Sequence, residues 1–409
     1  MSFFKTTVDG LSWITFLRLS IRVLTFIRIA ILARLLLPFE FGLFAIASLS
    51  LSFLEIVTET GINSILIQKK EDYTTYLDTA WIISILRGLI ISVIILISTP
   101  WIASFFSSPS SAKLLYLVSW VAIIRGFVNP ASVKFQKELF FKKEFFYRLT
   151  LILIEAVFVI IFAFISRSAI SLVYSLIISA VAEVFLSHIF IKPRPKLIFH
   201  KAKAAEIFNM GKWITGFGIL DYIYTTGDNI VVGKILGQSA LGIYQNAYKI
   251  STFPITELGD VFYKVTFPVY VKMREFPERL KIAAIKGGLL LSVLLLIASL
   301  LIYFLADSLV SIVLGSNWLA AVPVVKTLAF LGFFRGTSNS FNSLFMALNM
   351  QKQVSLIILF NALGLAITIV PLVTKYGLVG AGYSAIIGAS LSLFPALYLV
   401  RKTLSNLSK

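Results

Sequence analysis

Apolar runs of about 20 residues recur along the whole chain, each long enough as a helix to cross a bilayer core of about 30 Å. Lipid offers no water to a backbone N–H or C=O, so whatever crosses must satisfy its own hydrogen bonds. Read as helices, the runs place spans near 11–33, 41–67, 77–103, 113–133, 147–166, 169–191, 207–233, 241–269, 285–305, 320–348, 354–373 and 379–400. The fold class expected is an all-α polytopic membrane protein. It has about 12 transmembrane helices, arranged as two six-helix lobes.

Composition agrees. Of the 409 residues 58% are hydrophobic and only 14% charged, where a soluble chain carries nearer a quarter charged residues. The first run is no cleavable leader, because Arg18, Arg22 and Arg28 interrupt it and no small-residue cleavage site follows. With no cysteine, disulfides, thiolate catalysis and cysteine-held metal are excluded, and His188 and His200 leave little scope for a histidine-metal centre. No metal and no cofactor are expected.

The net charge of +18 invites a nucleic-acid reading, but its placement argues for topology. With the N-terminus inside, the inside segments hold clusters such as Lys69 and Lys70, or Lys134, Lys137, Lys142, Lys143 and Arg148. Lys192, Arg194, Lys196, Lys201 and Lys203 form another. The outside segments hold only Arg34, Lys113, Arg167, Lys234 and Lys375. That asymmetry is the positive-inside pattern, and it puts both termini in the cytoplasm. Trp101, Trp318 and Tyr376, near span ends, fit either interface anchoring or ordinary apolar packing.

The chain also repeats itself. Ala33-Arg34-Leu35-Leu36, with Phe41, Gly42 and Phe44, returns as Gly233-Lys234-Ile235-Leu236 with Leu241, Gly242 and Tyr244. Trp13-Ile14-Thr15 returns as Trp213-Ile214-Thr215, and Arg125-Gly126-x-x-Asn129 as Arg335-Gly336-x-x-Asn339. An even number of spans per half makes the repeat parallel, an arrangement typical of transporters. The boundaries read are an N-terminal six-helix lobe over 1–191, a basic cytoplasmic linker over 192–206, and a C-terminal lobe over 207–409.

Charge inside the spans is the functional signal. Arg18, Arg22, Arg28, Arg87, Arg125, Lys212, Lys249, Lys264, Lys326 and Arg335 lie within or beside them. So do Glu55, Glu59, Glu155, Glu183, Asp221, Asp228, Glu257 and Asp260. A charge at a span centre costs about 2.5–3.5 kcal/mol, so most of these must face a wet interior, pair, or snorkel. A hydrated cavity between the halves is therefore expected. At about 100° per residue Arg18 and Arg22 fall within about 40° of each other, with Arg28 about 80° to one side. Such a ladder suits a diphosphate, whose oxygens guanidinium forks bind in pairs; the alternative is that Arg18 snorkels and Arg28 pairs with an acid. Asp228 stands where the repeat aligns Arg28, with Asp221 on the same face. These two and Asp260 are candidates for H⁺ or Na⁺ coupling, or else for structural pairing. Glu55 and Glu59 read as interior packing or pairing residues. Arg125-Gly126 and Arg335-Gly336 read either as helix breaks or as close packing at glycine.

Ala33–Gly42 followed by Gly61–Gln68 resembles the signature of the polysaccharide repeat-unit flippases. These belong to the multidrug, oligosaccharidyl-lipid and polysaccharide exporter superfamily. Leu77–Trp81, Gly211-Lys212-Trp213, Asp228-Asn229 with Gly233, Leu241–Tyr244 with Ala247-Tyr248, and Trp318–Pro323 are similar as well. The resemblance implies two six-helix lobes around a cationic cavity. It also implies export of undecaprenyl-diphosphate-linked oligosaccharide from the inner to the outer leaflet. On that reading Arg18, Arg22 and Arg28, then Arg87, Lys249 and Arg335, capture the head group, while Tyr222, Tyr224 and Gln245 contact sugars. The chain is then a non-enzymatic transporter of the inner membrane. Its partners are membrane lipids and the glycosyltransferases and glycan polymerase of the same pathway, and not nucleic acid. No nucleotide-phosphate loop is present, so ATP is not the direct drive. A cation-coupled multidrug exporter is the alternative. A glycan polymerase or ligase is the more distant one, because the external loops are too short to carry acid–base groups.

Overall fold

The structure, a computed structural model, describes residues 3–68 and 73–407. Lys69, Lys70 and Lys409 lie outside these, and the side chains of Lys5 and Trp213 are likewise outside what is described. The described residues form helices and turns without a strand. In chain order they are α1 (Phe3–Leu35), α2 (Pro38–Val57), α3 (Ile62–Gln68), α4 (Tyr73–Phe105), α5 (Ser111–Gly126), α6 (Lys134–Lys137) and α7 (Phe141–Ser166). There follow α8 (Ile170–Phe190), α9 (Lys201–Lys272), α10 (Pro277–Leu309), α11 (Val322–Asn339), α12 (Asn342–Ala347) and α13 (Gln351–Leu407).

Local chemistry sets the breaks. Leu37 is extended (φ −78°, ψ 159°) because Pro38 follows, and the proline opens α2 at the position that needs no N–H. Arg167 takes a left-handed turn (φ 47°, ψ 35°) that stops α7. Glu40 of α2 then accepts the Ala169 N–H at 2.5 Å, where α8 begins. The two longest helices are each two limbs joined at a glycine, Gly237 in α9 (φ 83°) and Gly377 in α13 (φ 60°). No atom lies within 4 Å of where a Cβ would stand at either, so the dihedral rather than crowding selects glycine.

By length and composition, seven helical stretches can cross a bilayer: Pro38–Val57, Tyr76–Phe105, Phe141–Ser166, Ile170–Phe190, Pro277–Leu314, Ser316–Ala347 and Gln351–Ser405. An eighth is a bent pair, Ser111–Gly126 with Pro130–Lys137, turned by 70°. The expected count of about twelve is reached if α1 and both limbs of α9 also cross and the two limbs of α13 count as separate spans. The outward faces are apolar: Trp101, Phe164, Ile165, Leu289 and Phe304 are all exposed. That inverts the soluble pattern and suits lipid. Tyr376 is exposed too, but Trp318 is fully buried. Trp318 is therefore a core residue rather than an interface anchor, because its turn (Ser316–Ala321) folds inward ahead of α11.

The chain divides into two units, Met1–Tyr222 and Ile223–Lys409, and the division falls within α9. In the first unit α4 packs along α5, α7 along α8, and α1 along α7. Leu43, Leu51, Ile95, Leu115, Val118 and Val173 fill its centre. The approach of α4 to α5 depends on two glycines. A Cβ on Gly88 would lie 2.4 Å from Ala122 O, and one on Gly126 would lie 2.9 Å from Ser84 O. In the second unit α11 packs between α10 and α13. Leu280, Leu344, Phe345, Ile357 and Ala396 fill one end of it. Small hydroxyls tie its helices together, as Thr368 Oγ1 does to Ser384 Oγ at 2.7 Å.

Candidate functional site

Each unit encloses a polar centre of its own. In the first, Gly88 and Gly126 seat α4 against α5, and the residue before each glycine is an arginine. Arg87 and Arg125 thereby line one cavity of about 620 Å³ with Glu55, Glu59, Arg148 and Glu183. At about 30 Å³ per molecule it has room for roughly twenty waters, so these charges are wet rather than in hydrocarbon. Arg87 is held three ways, donating to Thr58 Oγ1 at 3.0 Å, to Glu59 Oε2 at 3.2 Å and to the Glu55 carbonyl. Arg125 pairs with Glu55 Oε1 at 3.1 Å. Glu55 and Glu59 therefore fulfil the pairing role read from their i,i+4 spacing. Arg148 pairs with Glu144 at 2.8 Å. It lies on α7 and lines the cavity. Asn129 ends the arginine–glycine motif. Its amide accepts the Ala131 N–H at 2.9 Å and caps the turn that bends the chain after α5.

In the second unit α9 turns at Gly237, and its later limb brings Tyr244 back to Asp228. The carboxylate, 4% exposed, accepts the Tyr244 hydroxyl at 2.8 Å, and the Asn229 N–H and side-chain amide each at 2.8 Å. One turn on, the Tyr248 ring centroid is 6.2 Å from that of Tyr244. The Tyr248 hydroxyl accepts from Arg335 at 2.6 Å, and the Arg335 guanidinium lies 4.9 Å from the Tyr224 ring centre. Arg335 makes no carboxylate pair among the described residues. It lines a cavity of about 240 Å³ with Tyr248, Thr256, Asp260, Tyr263 and Asn339. Gly332 and Gly336 close the helix contacts around it.

Of the residues singled out from sequence, Arg335, Tyr224 and Asp260 come together at this second centre. Arg28 instead pairs with Glu155 across α1 and α7, the alternative left open for it above. Arg18 and Arg22 lie exposed on α1. Tyr222 is buried, with its hydroxyl on the Leu49 carbonyl at 2.8 Å and its ring against Phe53, which ties α9 to α2. Lys249 and Asp221 are exposed, and Gln245 is half-buried. Among the groups in these centres that carried no assigned role in the sequence reading are Glu183, Tyr244 and Tyr248. Tyr244 had a signal, since it stands in the repeated segment opposite Phe44. A hydroxyl added where the copy has none marks a polar partner.

A multi-pass helical membrane protein that encloses paired charges and isolated cations within its units is built to handle a polar load in lipid. The chain belongs to the family described as "Polysaccharide biosynthesis protein", whose profile matches residues 31–323. It is 25% identical over 363 residues to the lipopolysaccharide biosynthesis protein WzxC of Escherichia coli (strain K12), covering 88% of this chain and 73% of that one. It is 27% identical to an uncharacterized membrane protein in the cps region of Klebsiella pneumoniae, covering 99% and 84%. Among solved structures, the fold matches the lipid II flippase MurJ in an inward closed conformation. The TM-score is 0.76 at 15% identity, over 96% of this chain and 89% of that one. An inward-facing multidrug resistance MATE family transporter of the MOP superfamily matches with a TM-score of 0.73 at 16% identity, over 96% and 98%.

Proposed function

We propose that this protein is a flippase that carries a lipid-linked oligosaccharide, a polysaccharide repeat unit on a polyprenyl diphosphate, from the cytoplasmic to the outer leaflet. The observation that carries this reading is Arg335. It is an intramembrane arginine at a cavity wall, held by a tyrosine hydroxyl and a tyrosine ring, with no carboxylate in ion-pair contact among the described residues. An arginine so placed keeps its charge for an anion, and its fork matches phosphate geometry. The match to the polysaccharide biosynthesis family supports a glycan cargo. So do the names of two further relatives, the succinoglycan biosynthesis transport protein ExoT of Rhizobium meliloti (strain 1021) and the teichuronic acid biosynthesis protein TuaB of Bacillus subtilis (strain 168).

On this reading the protein sits in the inner membrane with about twelve crossings and both termini in the cytoplasm. The polyprenyl tail stays in lipid while the head group and sugars pass through by alternating access. Arg18 and Arg22 of the first unit, and Lys249 and Arg335 of the second, are the cations read as binding the diphosphate, and Tyr224 and Gln245 are read as meeting the sugars. Arg28 and Arg87, each on a glutamate, exchange that partner for phosphate during passage. Asp228 and Asp260 are the groups placed to sense a coupling cation, unless consumption of product outside supplies the drive. The test is translocation of a lipid-linked oligosaccharide in proteoliposomes by the Arg18→Gln/Arg22→Gln double variant. Loss of transport with normal insertion is expected, and full activity refutes the cationic capture. Ion-driven efflux of small amphiphiles without glycan transport would instead make the protein a drug exporter.

A further inference from the structure

In the first unit, two cavities that the transport reading does not use are lined by neighbouring residues of the chain. One, about 390 Å³, is an apolar slot between α7 and α8 lined by Phe135, Phe146, Tyr147, Leu186 and Phe190, with Lys143 beside them. The other, about 460 Å³, is lined by Lys134, Lys192, Pro193 and Arg194. They adjoin in sequence twice over: Lys134 precedes Phe135, and Phe190 stands two residues before Lys192.

The segment that carries the bases is fixed, while its side chains are offered outward. Asn129, itself buried, donates to the carbonyls of Ser187, Ile191 and Pro193 at 3.4, 3.3 and 3.1 Å. Further along, the Lys196 N–H donates to Asp78 at 2.7 Å, and the His200 N–H donates to Thr79 at 3.1 Å. From this clamped strand Lys192, Arg194 and Lys196 project alongside exposed Leu197, Ile198 and Phe199. Arg194 Nε gives one bond to the His188 carbonyl, and neither it nor Lys192 has a carboxylate partner among the described residues. Lys134 pairs with Glu138 at 3.6 Å, an exposed contact worth little. The Tyr147 ring lines the slot, while its hydroxyl is buried in the protein. Outward cations beside an apolar slot suit an amphiphile with an anionic head.

We propose that this corner binds one anionic phospholipid of the adjoining leaflet. An acyl chain lies in the slot against the Tyr147 ring, and the phosphate lies among Lys134, Lys192 and Arg194. The head cavity offers cations and a proline, with nothing to discriminate among sugar hydroxyls. It thus reads charge alone and fits a membrane lipid rather than the carried glycan. Basic pockets between helices on the cytoplasmic face are where anionic head groups dock.

The test is native mass spectrometry of the purified full chain titrated with dioleoylphosphatidylglycerol, dioleoylphosphatidylcholine or undecaprenyl phosphate. Phosphatidylglycerol should be retained in preference to phosphatidylcholine. The Lys134→Gln/Lys192→Gln/Arg194→Gln variant should bind it ~100-fold more weakly, at roughly fivefold per base, with phosphatidylcholine unchanged. Leu186→Trp, which fills the slot and leaves the charge alone, should also lower phosphatidylglycerol retention. It decides the matter if the triple variant does not fold. Equal retention of the two phospholipids, or of phosphatidylglycerol by wild type and Leu186→Trp, overturns the proposal. Displacement of phosphatidylglycerol by an equal concentration of undecaprenyl phosphate would also overturn it and assign the corner to the carried lipid.

Discussion

The bond between Tyr244 and Asp228 is the contact on which the second unit's polar centre turns, and Tyr244→Phe removes it without changing shape. Asp228 is 4% exposed, so no water replaces the lost donor. Its carboxylate keeps only the two Asn229 bonds. A hydrogen bond to a charged group contributes about 1.5–3 kcal/mol, and the buried acceptor left short adds to the loss. For a unit of 150–250 residues each kcal/mol moves the melting temperature by about 2–4 °C, so a fall of roughly 3–12 °C is expected. Asp228→Asn keeps an oxygen for the hydroxyl but removes the charge. If the two groups act on each other, the double variant should lose less than the sum of the singles, with a coupling of about 0.5–3 kcal/mol. The assay is intrinsic-fluorescence melting of the four proteins in one detergent. Strict additivity, or a Tyr244→Phe protein that melts with wild type, refutes the argument.

Other outcomes follow from the same geometry. Gly88→Val should drive α4 from α5, where a Cβ already stands 2.4 Å from Ala122 O. A cost of about 1–3 kcal/mol or more is expected, read as a lower melting temperature. Because Arg87 and Arg125 ride on that seam, transport should fall with it. Glu155→Gln strips Arg28 of its carboxylate, and since both side chains are partly exposed a loss of about 1–3 kcal/mol is expected rather than the full buried-pair cost. An unchanged melting curve would show that Arg28 is held elsewhere. Arg335→Lys keeps charge but loses the fork and much of the contact with Tyr224, so glycan transport should drop by roughly 5–30-fold. Undiminished transport would separate Arg335 from the cargo.

The helices were legible because lipid leaves a chain so few options: a long apolar run folds as a helix wherever it packs. The Arg125-Gly126 motif was legible too, since the glycine that lets α5 meet α4 also ends α5. Charge partnership was not. Arg28 and Glu155 are 127 residues apart, and Arg125 and Glu55 are 70 apart. Spacing along one helix cannot report a contact made between two. Trp318 took the packing alternative for a related reason, because an aromatic at a span end looks the same whether its ring points to the interface or inward.

The two arginine–glycine segments match in sequence, yet their arginines keep different company. Arg125 touches a glutamate, whereas Arg335 touches a phenol. One is paired at contact with a carboxylate and the other, among the described residues, is not. A chain that repeats a motif can therefore retune the charge it presents by changing one neighbour while the cation stays in place. Relatives handling cargo of different charge would then differ most at the residues facing these two arginines, and least at the arginines themselves.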